Sequence, residues 1–314
     1  MHEDLVAFSR ERIEKGSKSF AIAARLFAPD TRASAYMLYA WCRHCDDEID
    51  GQNLGFADDT RSPRRDTLLS VVQELKRKTM DACEGQATEP VFQALSVVCK
   101  DHAIPSRHPL DLIAGFNMDA QERTYVRLED TLEYCYHVAG VVGVMMSMIM
   151  GVRDRDVLLR AADLGLAFQL TNIARDVIPD HAVGRVYLPS KWLHEADLSH
   201  DNMARPENRA ALFTVVNRLL NTAEPYYKSA TNGIPHLPFR SAWAVASARG
   251  IYREIGTEVR RLGPKAWDER ASTNKLQKLT CFASGFGTAL TTRASRTSHA
   301  LSLPRDGLWT SPNV

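Results

Sequence analysis

The sequence predicts an all-α protein. Apolar residues recur every three or four positions along most of its 314 residues, the period of a helix with one face in a core. No series of short alternating strands separated by hairpin signals interrupts them. Proline, aspartate and threonine stand where periodic segments begin, and glycine or asparagine where they end. With 45% hydrophobic and 25% charged residues, the chain has enough apolar material for a large core.

Taken in order, Pro29-Asp30-Thr31 opens a helix that runs to about Asp50, and Gly51, Asn53 and Gly55 close it. A polar loop follows around residues 56–66, then helices near 67–83 and 90–101, until HAIPSRHP at 102–109 breaks the chain. Asp130 and Thr131 precede a helix over Tyr134–Met150. Its apolar run VAGVVGVMMSMIMGV is shorter than the ~20 residues of a membrane span, contains glycines and reads as a buried helix. The next helix is expected from Asp154 to Ile178, ended by Pro179 and Gly184, and Pro189-Ser190 opens another. Gly233 to Pro238 separates two further helical stretches. From about Thr291 the chain is rich in Ser, Thr, Arg and Pro without apolar periodicity. The expectation is one domain over residues 1–290 and a flexible tail over 291–314.

Lys plus Arg number 39 against 38 acids, so the net charge of +1 gives no reason to expect nucleic acid as a partner. Six cysteines lie in periodic apolar segments, and MHEDLVAFSRERIEKG has no signal-peptide core, which predicts reduced thiols and a cytoplasmic location. Cys42 and Cys45 form a CxxC around His44, but no second ligand pair follows at metal spacing, and they are expected to be packed helix cysteines.

The chemistry is concentrated in two acidic stripes. In AYMLYAWCRHCDDEID, Tyr36, Tyr39, Arg43, Asp46 and Asp50 share a helix face, with Asp47 at its edge. In QLTNIARDVIPD, Gln169, Asn172, Asp176 and Asp180 do the same. Each stripe continues an apolar or aromatic helix and carries an arginine, Arg43 or Arg175. Two such faces set opposite each other would form the walls of a cavity able to hold Mg²⁺, which takes hard oxygen ligands and favours phosphate as co-ligand. In HAVGRVYLP, directly after the second stripe, Arg185 and Tyr187 are placed to close over a bound diphosphate. YCYHVAGVVG adds aromatics followed by small residues, suited either to a long apolar ligand or to close helix packing.

SKSF (17–20), YAWCRHCDDEID, YCYHVAGVVG, QLTNIARDVIPD and GRVYLP, in this order, strongly resemble the squalene and phytoene synthase family, most of all its bacterial phytoene-forming branch. The resemblance implies the all-helical isoprenoid synthase fold around a central cavity. It also implies head-to-head joining of two geranylgeranyl diphosphates through prephytoene diphosphate, a transferase reaction of carotenoid biosynthesis. Carried over by motif, Asp46, Asp50, Asp176, Asp180 and Asn172 would coordinate Mg²⁺, or Mn²⁺ in its place. Ser17, Ser19, Arg43, Arg175 and Arg185 would contact diphosphate, while Tyr39, Gln169, Tyr187 and Tyr252 would line the site. Tyr134 would take part in proton removal or cation stabilisation. No nicotinamide is expected. Partners implied are the C20 diphosphate, a peripheral membrane contact that receives the hydrocarbon, and other carotenoid-pathway enzymes. The alternatives are dehydrosqualene or squalene formation from two farnesyl diphosphates and, in another class, a non-catalytic helical scaffold, against which all four motif carboxylates argue. Pro179 beside Asp180 and Gly16 before SKSF depart from the usual pattern.

Overall fold

The computed structural model of the chain describes residues 2–16, 23–50, 52–53, 56–57, 65–294 and 305–314. The helices are α1 (His2–Gly16), α2 (Pro29–Asp50), α3 (Arg65–Cys83), α4 (Pro90–Asp101), α5 (Arg107–Ala120) and α6 (Leu128–Cys135). They continue with α7 (Val141–Ile149), α8 (Arg155–Ala182), α9 (Ser190–Glu195), α10 (Arg209–Thr231), α11 (Phe239–Leu262) and α12 (Lys275–Ala294). Among the described residues the one extended pairing is a short antiparallel ribbon, β1 (Gln52–Asn53) with β2 (Phe56–Ala57), between the end of α2 and the expected polar loop.

The long helix α8 is the axis of the fold. It packs against α7, α10 and α11, while α2 packs against α1 and α4 and closes the opposite side. α8 is amphipathic in an unusual sense: Leu166, Leu170 and Ile173 are buried in the protein core, whereas Gln169 and Asn172 line an internal cavity. Close approach of α7 to α8 depends on glycine. A Cβ on Gly143 would come 2.4 Å from the Ala161 carbonyl oxygen, and one on Gly165 would come 2.3 Å from that of Ala139. The glycines of YCYHVAGVVG thus serve helix packing, while Val138, Ala139 and Val142 beside them face the cavity. Between α6 and α7 the chain makes a π turn over Tyr136–Gly140, a local widening frequent at functional sites.

Two expectations are corrected. α8 does not stop at Ile178: it runs through Pro179 to Ala182. A proline in the last turn removes one backbone donor near an end that is fraying anyway, and the amide of Arg185 returns to the Asp180 carbonyl at 2.9 Å. The end of the chain also differs from the expected tail. α12 reaches Ala294, and residues 305–314 lie against the core, with Arg305 paired to Asp163 and the Trp309 amide donating to the Tyr226 hydroxyl at 3.1 Å. Polar contacts rather than apolar periodicity hold this segment, so a reading based on periodicity misses it. Leu128–Ile149 and Arg155–Ala182 are long and apolar enough to cross a membrane, but both lie mostly in the protein interior.

Candidate active site

A cavity of about 490 Å³ runs between α2, α5, α7, α8 and α11. Its walls are apolar over most of their length, with Phe27, Leu112, Phe116, Met146 and Leu164 among them. Its polar rim holds Tyr39, Arg43, Asp46, Asp119, Tyr134, Gln169, Asn172 and Arg185. Tyr252 also faces it, stacked on Phe168 with ring centroids 4.0 Å apart.

α2 supplies the first stripe because Met37, Leu38, Trp41 and Cys45 bury the opposite face. Arg43 bridges Asp46 at 3.0 Å and Asp47 at 2.8 Å. Asp47 is buried and held by this pair, so the middle acid of DDEID is structural, and Asp46 faces the cavity. Burial and the neighbouring Asp50 push the Asp46 carboxyl up to about 6. Asp50 ends α2 and accepts from Arg185 at 2.6 Å, which ties the GRVYLP segment to the first acidic helix. The positive φ of Gly184 provides the turn before it. Burial opposes the charge of Arg185, but Tyr187, Asp119 and Asp50 around it hold the guanidinium firmly protonated.

On α8, the Asn172 side-chain amide donates to Gln169 at 3.3 Å, and Asn172 Oδ1 is buried without a hydrogen-bond partner. Asp176 lies off the cavity lining between two guanidiniums. Arg175 Nε donates to it at 2.9 Å, and Arg270 makes a two-pronged contact at 3.0 Å on each oxygen. Burial works against its charge, but these arginines outweigh it and hold the carboxyl below its usual value. Asp180, by contrast, is pushed up to about 7 by burial and by Asp176, with Arg185 opposing the shift.

Asp119 and Arg270 were not singled out from the sequence. Asp119, at the end of α5, accepts from Tyr134 at 3.1 Å and from Tyr187 at 3.0 Å, and those two rings stack with centroids 4.4 Å apart. Burial raises the Asp119 carboxyl to about 6 against the pull of Arg185 and both tyrosines. A signal existed: Leu112, Phe116 and Asp119 fall at i, i+4 and i+7, so a carboxylate sits on an apolar stripe. Ser17 and Ser19 lie outside the described residues. Cys42 lines the cavity and Cys45 is buried; neither is in a disulfide, as expected of packed thiols.

The residues present fit divalent cations. Asp46 and Asp180 carry carboxyls raised by burial and by like charges, and Asn172 offers a buried oxygen with no partner. Among the described residues no three His, Cys, Asp or Glu side chains converge on one point. Mg²⁺ accepts that arrangement, since it completes its shell with water and phosphate oxygens.

This chain belongs to the squalene/phytoene synthase family, whose pattern matches residues 13–277. Within the family it is similar to the 15-cis-phytoene synthase of Enterobacter agglomerans, with 52% identity over 96% of this chain and 100% of that protein. A 15-cis-phytoene synthase from Paracoccus is 47% identical, covering 99% of both chains. Among solved structures, a dehydrosqualene synthase bound to a ligand superposes with a TM-score of 0.81 at 29% identity, over 92% of this chain and 98% of that one. The fold is the helical isoprenoid synthase fold expected from the motifs.

Proposed function

We propose that this protein joins two molecules of geranylgeranyl diphosphate head to head, through prephytoene diphosphate, into phytoene with release of two diphosphates. The observation that carries the reading is a largely apolar cavity with Arg43 and Asp46 of α2, Gln169 and Asn172 of α8 and Arg185 at one end, where Arg185 also pairs with Asp50. High identity to relatives named 15-cis-phytoene synthase favours the C20 substrate over the C15 alternative.

Asp46, Asp50, Asn172, Asp176 and Asp180 would hold Mg²⁺, which supplies charge to neutralise the leaving diphosphate. Arg43 and Arg185 add charge-assisted hydrogen bonds where negative charge grows as the allylic C–O bond breaks. The apolar walls exclude water from the resulting carbocation, and the faces of Tyr39, Tyr134 and Tyr252 favour it electrostatically. When a proton must leave the hydrocarbon, the Tyr134 oxygen receives it while its own hydroxyl proton passes to Asp119 Oδ2 along the existing 3.1 Å hydrogen bond.

The test is incubation of the purified protein with Mg²⁺ and geranylgeranyl or farnesyl diphosphate, with and without NADPH, and mass analysis of the extracted hydrocarbon. Phytoene from the C20 substrate without NADPH is expected. A C30 product would assign the chain to the squalene or dehydrosqualene branch, and no Mg²⁺-dependent product would remove the enzymatic reading.

A C40 hydrocarbon has no polar group and leaves into lipid, where pathway enzymes that consume it would also meet it. The face we assign to that contact is the outer side of α12, where Leu276, Leu279, Phe286 and Leu290 are exposed and recur at helical spacing. Among its described side chains the helix carries Lys275 and Lys278 and no acid. The Leu276→Ser/Leu279→Ser variant is expected to lose co-sedimentation with anionic vesicles; retention equal to the wild type would remove this face from the reading.

A further inference from the structure

The cavity has a second polar end. Along α8 its lining descends through Asn172, Phe168, Gly165 and Ala161 to Arg160 and Val157. Twelve residues separate Asn172 from Arg160, about 18 Å along a helix axis. Arg160 is only 3% exposed, a guanidinium at the foot of an apolar wall. Gly233 makes room for it: a Cβ there would meet Arg160 Cβ at 2.9 Å.

Arg160 is held from behind by a chain of polar contacts. Its Nη1 donates to Ser229 Oγ at 2.7 Å, and the Ser229 hydroxyl donates to Asp163, which is 1% exposed. Asp163 accepts two further bonds from Arg305, 2.9 Å from Nε and 2.5 Å from Nη2. Arg305 begins the last described segment, residues 305–314, which lies against the core and is fixed at several points. The Trp309 ring lies 5.8 Å from Tyr136, Asn313 donates to Asp111 at 2.9 Å, and Arg155 donates to the Val314 carbonyl at 3.0 Å.

We propose that residues 305–314 form a strap that sets the depth of the prenyl cavity: through Arg305, Asp163 and Ser229 it fixes Arg160 as the cavity floor and so limits substrate chain length. The inference rests on the proposed prenyl diphosphate activity. The physical basis is that a hydrocarbon end displaces a loose side chain easily, but not a buried guanidinium anchored to a buried ion pair. An extended isoprene unit of four chain carbons advances about 5 Å with C–C bonds of about 1.5 Å. The distance from Asn172 to the floor therefore spans roughly three to four units, so a C20 chain whose first unit lies at the polar rim fills it and a fifth unit finds no room. Arg160, Ser229, Asp163 and Arg305 are positioning residues here, since only Arg160 borders the cavity.

The test compares Ser229→Ala, Arg305→Lys and a chain lacking residues 305–314 with the wild type, on C15, C20 and C25 diphosphates. Ser229→Ala leaves the Asp163–Arg305 pair intact and removes the hydroxyl that bridges it to Arg160. It is expected to raise kcat/KM for the C25 relative to the C20 diphosphate about tenfold or more, with a melting temperature close to that of the wild type. The shortened chain should shift the ratio in the same direction, and Arg305→Lys, which keeps the charge on Asp163, should stay near the wild-type ratio. A purely structural role would lower turnover of all three substrates alike and leave the ratios unchanged. Unchanged ratios in Ser229→Ala overturn the proposal whether or not the shortened chain folds. A wild type inactive on all three diphosphates would instead remove the reading of the cavity on which the proposal rests.

Discussion

Replacing Asp119 with asparagine tests the proton path at the cavity rim. The carboxylate accepts hydrogen bonds from Tyr134 and Tyr187 at 3.1 and 3.0 Å, and Arg185 lies close enough to oppose the shift that burial imposes on it. Asparagine preserves the volume but has one acceptor oxygen where aspartate has two. One charge-assisted bond is lost, worth roughly 1.5–3 kcal/mol. If that bond were only structural, stability would fall by about this amount and the turnover of folded enzyme would change little. As the terminal acceptor of a proton leaving through Tyr134, the carboxylate is needed ionised, and removing such a group typically costs about 10²–10⁴ in rate. The expected result is therefore a kcat lower by about 10²–10⁴ with KM nearly unchanged, read from hydrocarbon formation under saturating Mg²⁺. The pH profile gives a second readout. The folded carboxyl titrates at about 6, so the wild-type rate should fall as pH drops through that value. Asp46 and Asp180 are raised into the same region, but bound cations favour their ionised forms, so saturating Mg²⁺ isolates the Asp119 limb. The reasoning is refuted if Asp119→Asn turns over within about threefold of the wild type, or if its residual rate keeps the same acid limb.

Asp50→Asn and Asp176→Asn should each abolish Mg²⁺-dependent turnover with unchanged helix content by circular dichroism; near-normal activity in either variant would exclude that residue from the metal set. Gly165→Ala places a methyl 2.3 Å from the Ala139 carbonyl oxygen and should destabilise the fold by about 1–3 kcal/mol, visible as a lower denaturant midpoint; an unshifted midpoint would mean that the π turn Tyr136–Gly140 and α8 separate freely. Asp130 accepts from the backbone amides of Val126 and Arg127, each at 2.8 Å, so Asp130→Ala should cost about 1 kcal/mol at neutral pH. Burial raises its carboxyl, but the Arg127 and Val126 amides together with the Arg123 and Arg127 charges outweigh that and hold it below the usual value. Its stabilisation is thus complete above the unfolded carboxyl value and lost as pH falls through the lower folded one. The gap between wild type and variant in urea titrations should shrink in acid, and a constant gap down to pH 2 would contradict the assignment.

The helices were legible because burial imposes their period on the sequence, and the two acidic stripes because they break that period in the same way. What escaped the sequence depends on pairs brought together from afar. Arg270 meets Asp176 across 94 positions, and Arg305 meets Asp163 across 142. No local spacing encodes such a meeting, and both arginines sit in polar stretches that read as loop or tail. Pro179 misled for a different reason. The rule that proline ends a helix describes the lost hydrogen bond, whereas here α8 is held on several sides by packing that outlasts one missing donor. Asp119 lay within reach of periodicity, but a single acid on an apolar stripe acquires a role only when Tyr134 and Tyr187 arrive from other segments.

The carboxylates of the two acidic helices are not equivalent, and the difference orders what a cation and a diphosphate would meet. Asp47 and Asp176 already have guanidinium partners, Arg43 for one and Arg175 with Arg270 for the other. Asp46 shares Arg43 with Asp47, and Asp180 has Arg185 and Arg175 opposing its shift from beyond ion-pair distance, so both carry carboxyls raised by burial and like charge. In the proposed reaction cations would therefore gain most at Asp46 and Asp180. The arginines that balance Asp47, Asp50 and Asp176 form a second set, able to turn toward phosphate oxygens once cations neutralise the acids. Arg270→Met separates the two sets. It leaves the Asp46–Arg43 pair intact and takes from Asp180 only a longer-range attraction, so the Mg²⁺ concentration needed for half-maximal turnover should change less than KM for the diphosphate, which rises. A shift confined to the Mg²⁺ requirement would show that Arg270 serves only to hold Asp176.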